Sequence, residues 1–236
     1  MSEVVETLPA RSAPRLVDVV TLFFQPRRFF AIVELDHRWW YASALVIAGL
    51  STASGRIDQN IMREELGRSR PGWDQLSPFL LDSWPTFWLF LIGAAAIYAP
   101  FYWYVGGWWY KVRLKWSGAA APDPRAARLV MATAAVIVGL PTVLFLVGQT
   151  VVFSDYREAW ASDELLSVVL LVFPFWSAYT SYRGVRTRFD VSKWKGRIWF
   201  LFLPALVFVF TFGLIAVLYA LLFTPVSPGG GNLAMV

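Results

Sequence analysis

The 236 residues are 57% hydrophobic and 17% aromatic with only 16% charged, and the mean hydropathy of +0.52 exceeds what one soluble domain of this size buries, so a water-soluble fold is excluded. The lack of cysteine and the single histidine remove disulfides, thiolate metal sites and most triad chemistry. The net charge of +5, from 17 Arg and 4 Lys against 16 acids, is in a membrane chain a topology signal to be read by location.

Residues 1–38 read as a cytoplasmic N-terminal segment carrying an interfacial amphipathic helix. Leu16, Val19, Val20, Phe23 and Phe24 recur at helical spacing, Pro26 interrupts, and Phe29, Phe30, Ile32 and Val33 resume beside Arg27 and Arg28. A helix packed beneath the bundle and leading into the first span is the plainer alternative. With acids at Glu3 and Glu6 and no uninterrupted apolar run, no cleavable signal is expected.

A spanning helix needs about 20 mostly apolar residues. Five stretches meet that test without a charged side chain: 39–55, 84–110, 129–154, 165–182 and 198–223. The fourth is short and contains Pro174, yet its run of Leu, Val and Phe favours insertion by on the order of 4 kcal/mol. Between the first two, Ile57, Ile61, Met62 and Leu66 keep a helical period ahead of the turn signal Arg70-Pro71-Gly72 and a second apolar stretch around Trp73, Leu76, Phe79 and Leu80. These predict a small outer cap. The fold expected is an all-α, five-helix transmembrane bundle over 39–223, followed by a short flexible non-cytoplasmic tail, 224–236.

The six segments flanking the spans carry 5, 4, 5, 1, 6 and 0 Lys and Arg in chain order, sixteen on the side of the N terminus against five opposite. By the positive-inside rule the N terminus is cytoplasmic and the C terminus outside. Spans two and three, and again four and five, form hairpins through a basic loop, with Pro100 and Pro174 in the inward helices and Pro141 and Pro204 in the outward ones. That pattern suggests a parallel repeat of two hairpins.

Catalytic chemistry finds little support. His37 lies between Asp36 and Arg38 with no nucleophile nearby in sequence, and Ser192-Lys193-Trp194-Lys195 matches S-x-x-K without companion motifs. Asp58, Glu64, Glu65, Asp74 and Asp82 crowd the first outer loop, but four Arg interleave and calcium-loop spacing is absent. Neither an ionisable acid nor base lies inside a span, which argues against proton-coupled or ion-driven transport. Gln149, the Ser and Thr positions and small-residue pairs such as Gly49 with Ala53 and Ala95 with Ala99 read as helix packing.

The proline-centred segment Gln25-Pro26-Arg27-Arg28-Phe29-Phe30, the Gly106-Gly107 pair closing span two, and the stretch WSAYTSYRGVRTRFDVSKWKGRIWFLFLPAL resemble, in this order among five spans, the Yip (Ypt/Rab-interacting protein) domain family. The resemblance covers roughly residues 16–223. It implies an integral membrane protein without enzymatic activity or cofactor that works in membrane organisation or trafficking through partners. Eukaryotic members carry a longer cytosolic arm with an acidic motif, whereas FFQPRRFF keeps the proline and replaces acid with base, so Rab binding is not carried over. The high ratio of Arg to Lys and frequent Ala point to the bacterial branch and the inner membrane.

The expected function is therefore non-enzymatic interaction with membrane lipid, anionic headgroups on the cytoplasmic face above all, or with a membrane-protein partner or a second copy, and not with nucleic acid. The alternative is a carrier or channel for a lipid or small molecule, using the proline-broken helices. The residues expected to carry the interaction are Pro26, Arg27, Arg28, Phe29 and Phe30 in the N-terminal segment, Gly106, Gly107 and Pro141 in the spans, and Arg186, Arg188, Lys193 and Lys195 in the last basic loop.

Overall fold

The computed structural model describes residues 15–162 and 169–223, which form helices and connecting turns with no strand. Two short helices open the chain, α1 (Leu16–Phe24) and α2 (Pro26–Ile32), broken at Gln25. Pro26 takes the first position of α2, where a missing N–H is no loss. The third helix, α3 (Arg38–Glu65), runs 28 residues without interruption. The outer-loop period of Ile57, Ile61 and Met62 is thus not a separate helix but the continuation of the first predicted span, because the buried face of Ala53 carries straight on through Ile57 and Ile61. Gly72, at φ +82°, then turns the chain into α4 (Trp73–Leu81).

Helix α5 (Trp84–Phe101) passes through a π turn (Tyr102–Gly106) into α6 (Gly107–Trp116). The start of α7 (Pro124–Val152) is fixed by its cap: the Asp123 carboxylate accepts from the N–H groups of Arg125 and Ala126, both at 3.1 Å, and Pro124 fills the first helical position. After α8 (Tyr156–Ser162) come α9 (Val172–Arg188), the short α10 (Lys193–Arg197), a second π turn (Ile198–Phe202) and α11 (Leu203–Phe223).

Three of these are long and apolar enough to cross a membrane: 84–116, 124–152 and 193–214. The other two predicted spans fall on α3, whose last third is polar, and on α9; the start of the fourth predicted span, 165–168, lies outside the described residues.

Helix α7 is the central post, with α3 packed on one side and α9 on the other, while α5 leans on α3 and α11 on α9. Burial follows this order, since 50% of the most apolar stretch of α7 is buried against 11% for 84–116 and 6% for 193–214. The outer helices present Leu89, Ile92, Ile97, Leu206, Val207 and Phe210 to the surroundings, as lipid-facing helices must. Glycines set the closest approaches: a Cβ on Gly49 would lie 2.9 Å from the Ala95 carbonyl oxygen, and one on Gly139 2.6 Å from Ile47 Cγ2. So α3 meets both neighbours through small residues, as helices do where lipid supplies no hydrophobic drive to associate.

Two apolar cores occupy the two ends. One gathers Phe29, Phe30, Tyr110, Leu114, Ile137, Val185 and Phe200 near the N-terminal segment, and the other Ile57, Leu80, Leu81, Phe87, Leu91 and Tyr156 at the far end. Tryptophans staple them. The indoles of Trp40, Trp88 and Trp84 donate to Thr133 Oγ1, Thr150 Oγ1 and the Phe153 carbonyl, at 3.0, 3.0 and 2.9 Å, each tying α3 or α5 to α7 or its end.

Candidate functional site

The end that holds the N-terminal segment is the basic one, and its geometry starts with the two π turns. Pro204 has no N–H to give, and the Leu203 N–H bonds the carbonyl of Ile198 instead of its α-helical acceptor, Trp199. The Trp199 carbonyl is left without either helical donor, and a buried carbonyl in that state is costly. Arg113 of α6 fills the vacancy: its Nε donates to the Trp199 oxygen at 3.0 Å and its Nη2 donates to the same atom. The guanidinium lies over Phe200, 4.4 Å from the ring centroid, and near Tyr110, whose hydroxyl is 2.9 Å from Ser181 Oγ on α9. One cation therefore joins the two hairpins.

The first π turn shapes a second feature. Tyr41 and Leu45 of α3, Ala99, Pro100, Trp103 and Tyr104 of the α5 end, and Arg125 and Arg128 of α7 line a cleft of about 620 Å³. Gly106 and Gly107 make room for α7 here. A Cβ on Gly107 would collide with Cγ of Arg128, while one on Gly106 would meet only the Met131 sulfur, at 3.1 Å. Passing over Gly107, the Arg128 guanidinium reaches the rings of Trp103 and Tyr104, 5.7 and 5.3 Å from their centroids. Its Nε is buried and has no hydrogen-bond acceptor. Arg125, at the mouth, donates from Nε and Nη2 to Asp36 Oδ1 at 3.0 and 2.5 Å.

Residues 20–224 match the family model described as the Yip1 domain. The chain belongs to the Yip1 family. No curated protein and no solved structure matches it.

The interaction residues expected from the Yip1 sequence separate into two groups. Pro26, Phe29 and Phe30 are buried, with both rings entirely closed in, and Gly184 on α9 forms the seat for Phe30. Arg27, Arg28, Lys193 and Lys195 are exposed. Arg186 and Arg188 hold the fold: Arg186 Nη1 donates to the Val191 carbonyl at 2.6 Å, and Arg188 Nη2 donates to that of Val33, which ties α9 to the end of α2. Burial lowers the Arg188 pKa without removing its charge. Pro141 lies inside α7, which continues through it to Val152. The Gly106-Gly107 pair and the Lys193–Lys195 turn fall on the basic end but on opposite sides of the Arg113 contact.

Sequence reading of this Yip1 chain passed over Arg128, Trp103, Tyr104 and Tyr41. Their signal was a glycine pair behind two aromatics, with an Arg at the foot of the next apolar stretch. At the far end, the five acids of the first outer loop each have a different partner. Tyr156 donates to Asp58 at 2.5 Å, Trp73 to Glu64 at 2.7 Å, Trp160 to Glu65 at 2.7 Å, Ser69 to Asp74 at 2.5 Å and Arg157 to Asp82 at 3.1 Å. Among the described residues no group of three His, Cys, Asp or Glu could hold a metal ion. Burial pushes the Asp58 carboxyl up to about 6 despite the Tyr156 hydrogen bond, which acts the other way.

Proposed function

We propose that this Yip1 protein is a non-enzymatic, five-span membrane protein that serves membrane organisation or a trafficking-like process by binding anionic lipid, or a membrane protein, at its basic end. Family membership and the long apolar helices support a membrane-associated, trafficking-related role. The observation that carries the finer reading is the division of the basic residues at one end. Arg113, Arg186 and Arg188 are spent on backbone carbonyls, whereas Arg28, Lys193 and Lys195 are exposed around them. Exposed cations in that position attract anionic headgroups at roughly 1 kcal/mol each near the surface, weakening with salt. On this reading the basic end faces the cytoplasm of a bacterial cell, from the inner membrane. A carrier would need a passage at mid-membrane; the cleft between α3, α5 and α7 lies at the basic end.

The test is lipid retention by protein in nanodiscs of phosphatidylcholine with a minor share of phosphatidylglycerol. The triple variant Arg28→Gln, Lys193→Gln, Lys195→Gln should retain less anionic lipid at low salt while melting normally. Unchanged retention would remove the lipid role of this face.

A further inference from the structure

We propose that the cleft beside the first π turn is a discrete, stoichiometric site for one anionic phospholipid, with its phosphate held by Arg125 and Arg128 and an acyl chain laid along Leu45, Ala99 and Pro100. This rests on the lipid-binding reading above and goes further, from a diffuse charged face to one built site.

The chemistry of the occupant follows from what the site lacks. Arg128 is held over Trp103 and Tyr104 by its stem, which only Gly107 lets through. Ring faces stabilise the cation but accept no in-plane hydrogen bond, and the buried Nε has no acceptor. A charged donor desolvated in this way calls for an anion. Arg125 lies three residues earlier on the same face of α7, one turn away. Asp36 occupies its Nε and Nη2 and so anchors it at the mouth rather than neutralising Arg128. The other nearby carboxylate, Asp123, is taken up in capping α7. Two guanidinium groups on one helix face suit a tetrahedral phosphate, whose several oxygens accept from both forks at once.

The remaining walls identify the source of that phosphate. Tyr41, Leu45, Ala99, Pro100 and the two π-turn rings make most of the lining apolar or aromatic, more than a soluble anion needs. The cleft also adjoins Ile97, Phe101 and Tyr104, all of them exposed on the outer surface of a helix long enough to span. An amphiphile can keep its chain in the bilayer there and its headgroup on the arginines. Trp103 and Tyr104 then sit at the depth where aromatic rings prefer the interface.

Native mass spectrometry of the full chain, released from those nanodiscs across a salt series, tests this. One phosphatidylglycerol should stay bound at salt that strips all others, since a partly buried pair is screened far less than a surface one. Arg128→Gln should weaken its retention roughly ten- to hundredfold. Ala99→Phe fills the apolar wall and leaves both arginines intact; it should release the same lipid and decides the matter if Arg128→Gln fails to fold. Inorganic phosphate should not displace the lipid; displacement would assign the site to a soluble anion and overturn the proposal. So would a wild-type protein with no salt-resistant lipid, or an Ala99→Phe variant that keeps it. If the exposed-cation triple variant still loses salt-sensitive lipid in those cases, the broader reading stands alone, and if neither lipid population responds, both fall.

Discussion

Arg113 offers a test of how tightly the two hairpins are joined. Arg113→Lys keeps a cation but loses the planar fork that reaches the Trp199 carbonyl with two donors, and should destabilise the protein by about 1–3 kcal/mol, read as a lower melting temperature in detergent. The neighbouring glycines should behave differently from each other. Gly107→Ala forces Arg128 from its place and Gly106→Ala presses only on the flexible Met131 sulfur, so the first should lower the melting temperature markedly more than the second. Asp58 gives a pH dependence whose sign is set by its raised pKa. Between its ordinary value of 3.8 and about 6, the unfolded chain has lost the proton that the folded one keeps. Stability therefore falls as pH rises through that window, by at most about 3 kcal/mol. Asp58→Asn, which still accepts from Tyr156, should flatten this slope between pH 4 and pH 6 and raise the melting temperature at pH 7; a slope that survives the substitution removes Asp58 as its source. None of these roles was legible from the chain alone. Arg113 and Arg188 look like any flanking cation until a carbonyl with no helical donor appears beside them.

Helices were more legible than residues, because apolar length is a property of composition, and the stretches 84–110 and 129–154 reappear inside two of the long helices. Their ends were less so. The helix expected to stop at Gly55 continues to Glu65 because its apolar face finds α4 and α8 to cover it, a tertiary fact with no local signal. The π turns were also invisible, although the prolines beside them, Pro100 and Pro204, were the right places to look. The N-terminal segment combines both expectations made for it. Helix α1 exposes Val17, Val20 and Phe24, while α2 is sunk into the core by Phe29 and Phe30. A Cβ on Gly184 would come within 2.8 Å of the Phe30 ring and 2.9 Å of Val130. Gly184→Ala should therefore loosen α2 from α9 and expose the segment to proteolysis near Gln25, ahead of any global unfolding. Cleavage unchanged from wild type would mean that α2 is held by its other contacts.

In the whole molecule, the alternation of charge along the chain becomes a separation between two ends. Arg125 meets Asp36, Arg188 meets Val33 and the Ser192 N–H donates to the Ser117 carbonyl, so the three basic segments converge. With the sixteen-to-five bias as guide, a reporter active only outside the cytoplasm should be silent after Lys115 or Lys195 and active within 155–164; activity at Lys195 would overturn the five-span arrangement. The π turns bear on how such a chain can drift in length. Each is a helix carrying one residue more than its turns require, and deleting a residue between Tyr102 and Gly106 restores the α register and rotates everything after it by about 100°. Arg113 would then swing off Trp199, and Tyr110 off Ser181, although no side chain had been changed. A deletion scan should find single-residue losses tolerated in the turn around Gly118 and ruinous across these two short windows, which makes reading frame along the helix, rather than residue identity, the property that the π turns guard.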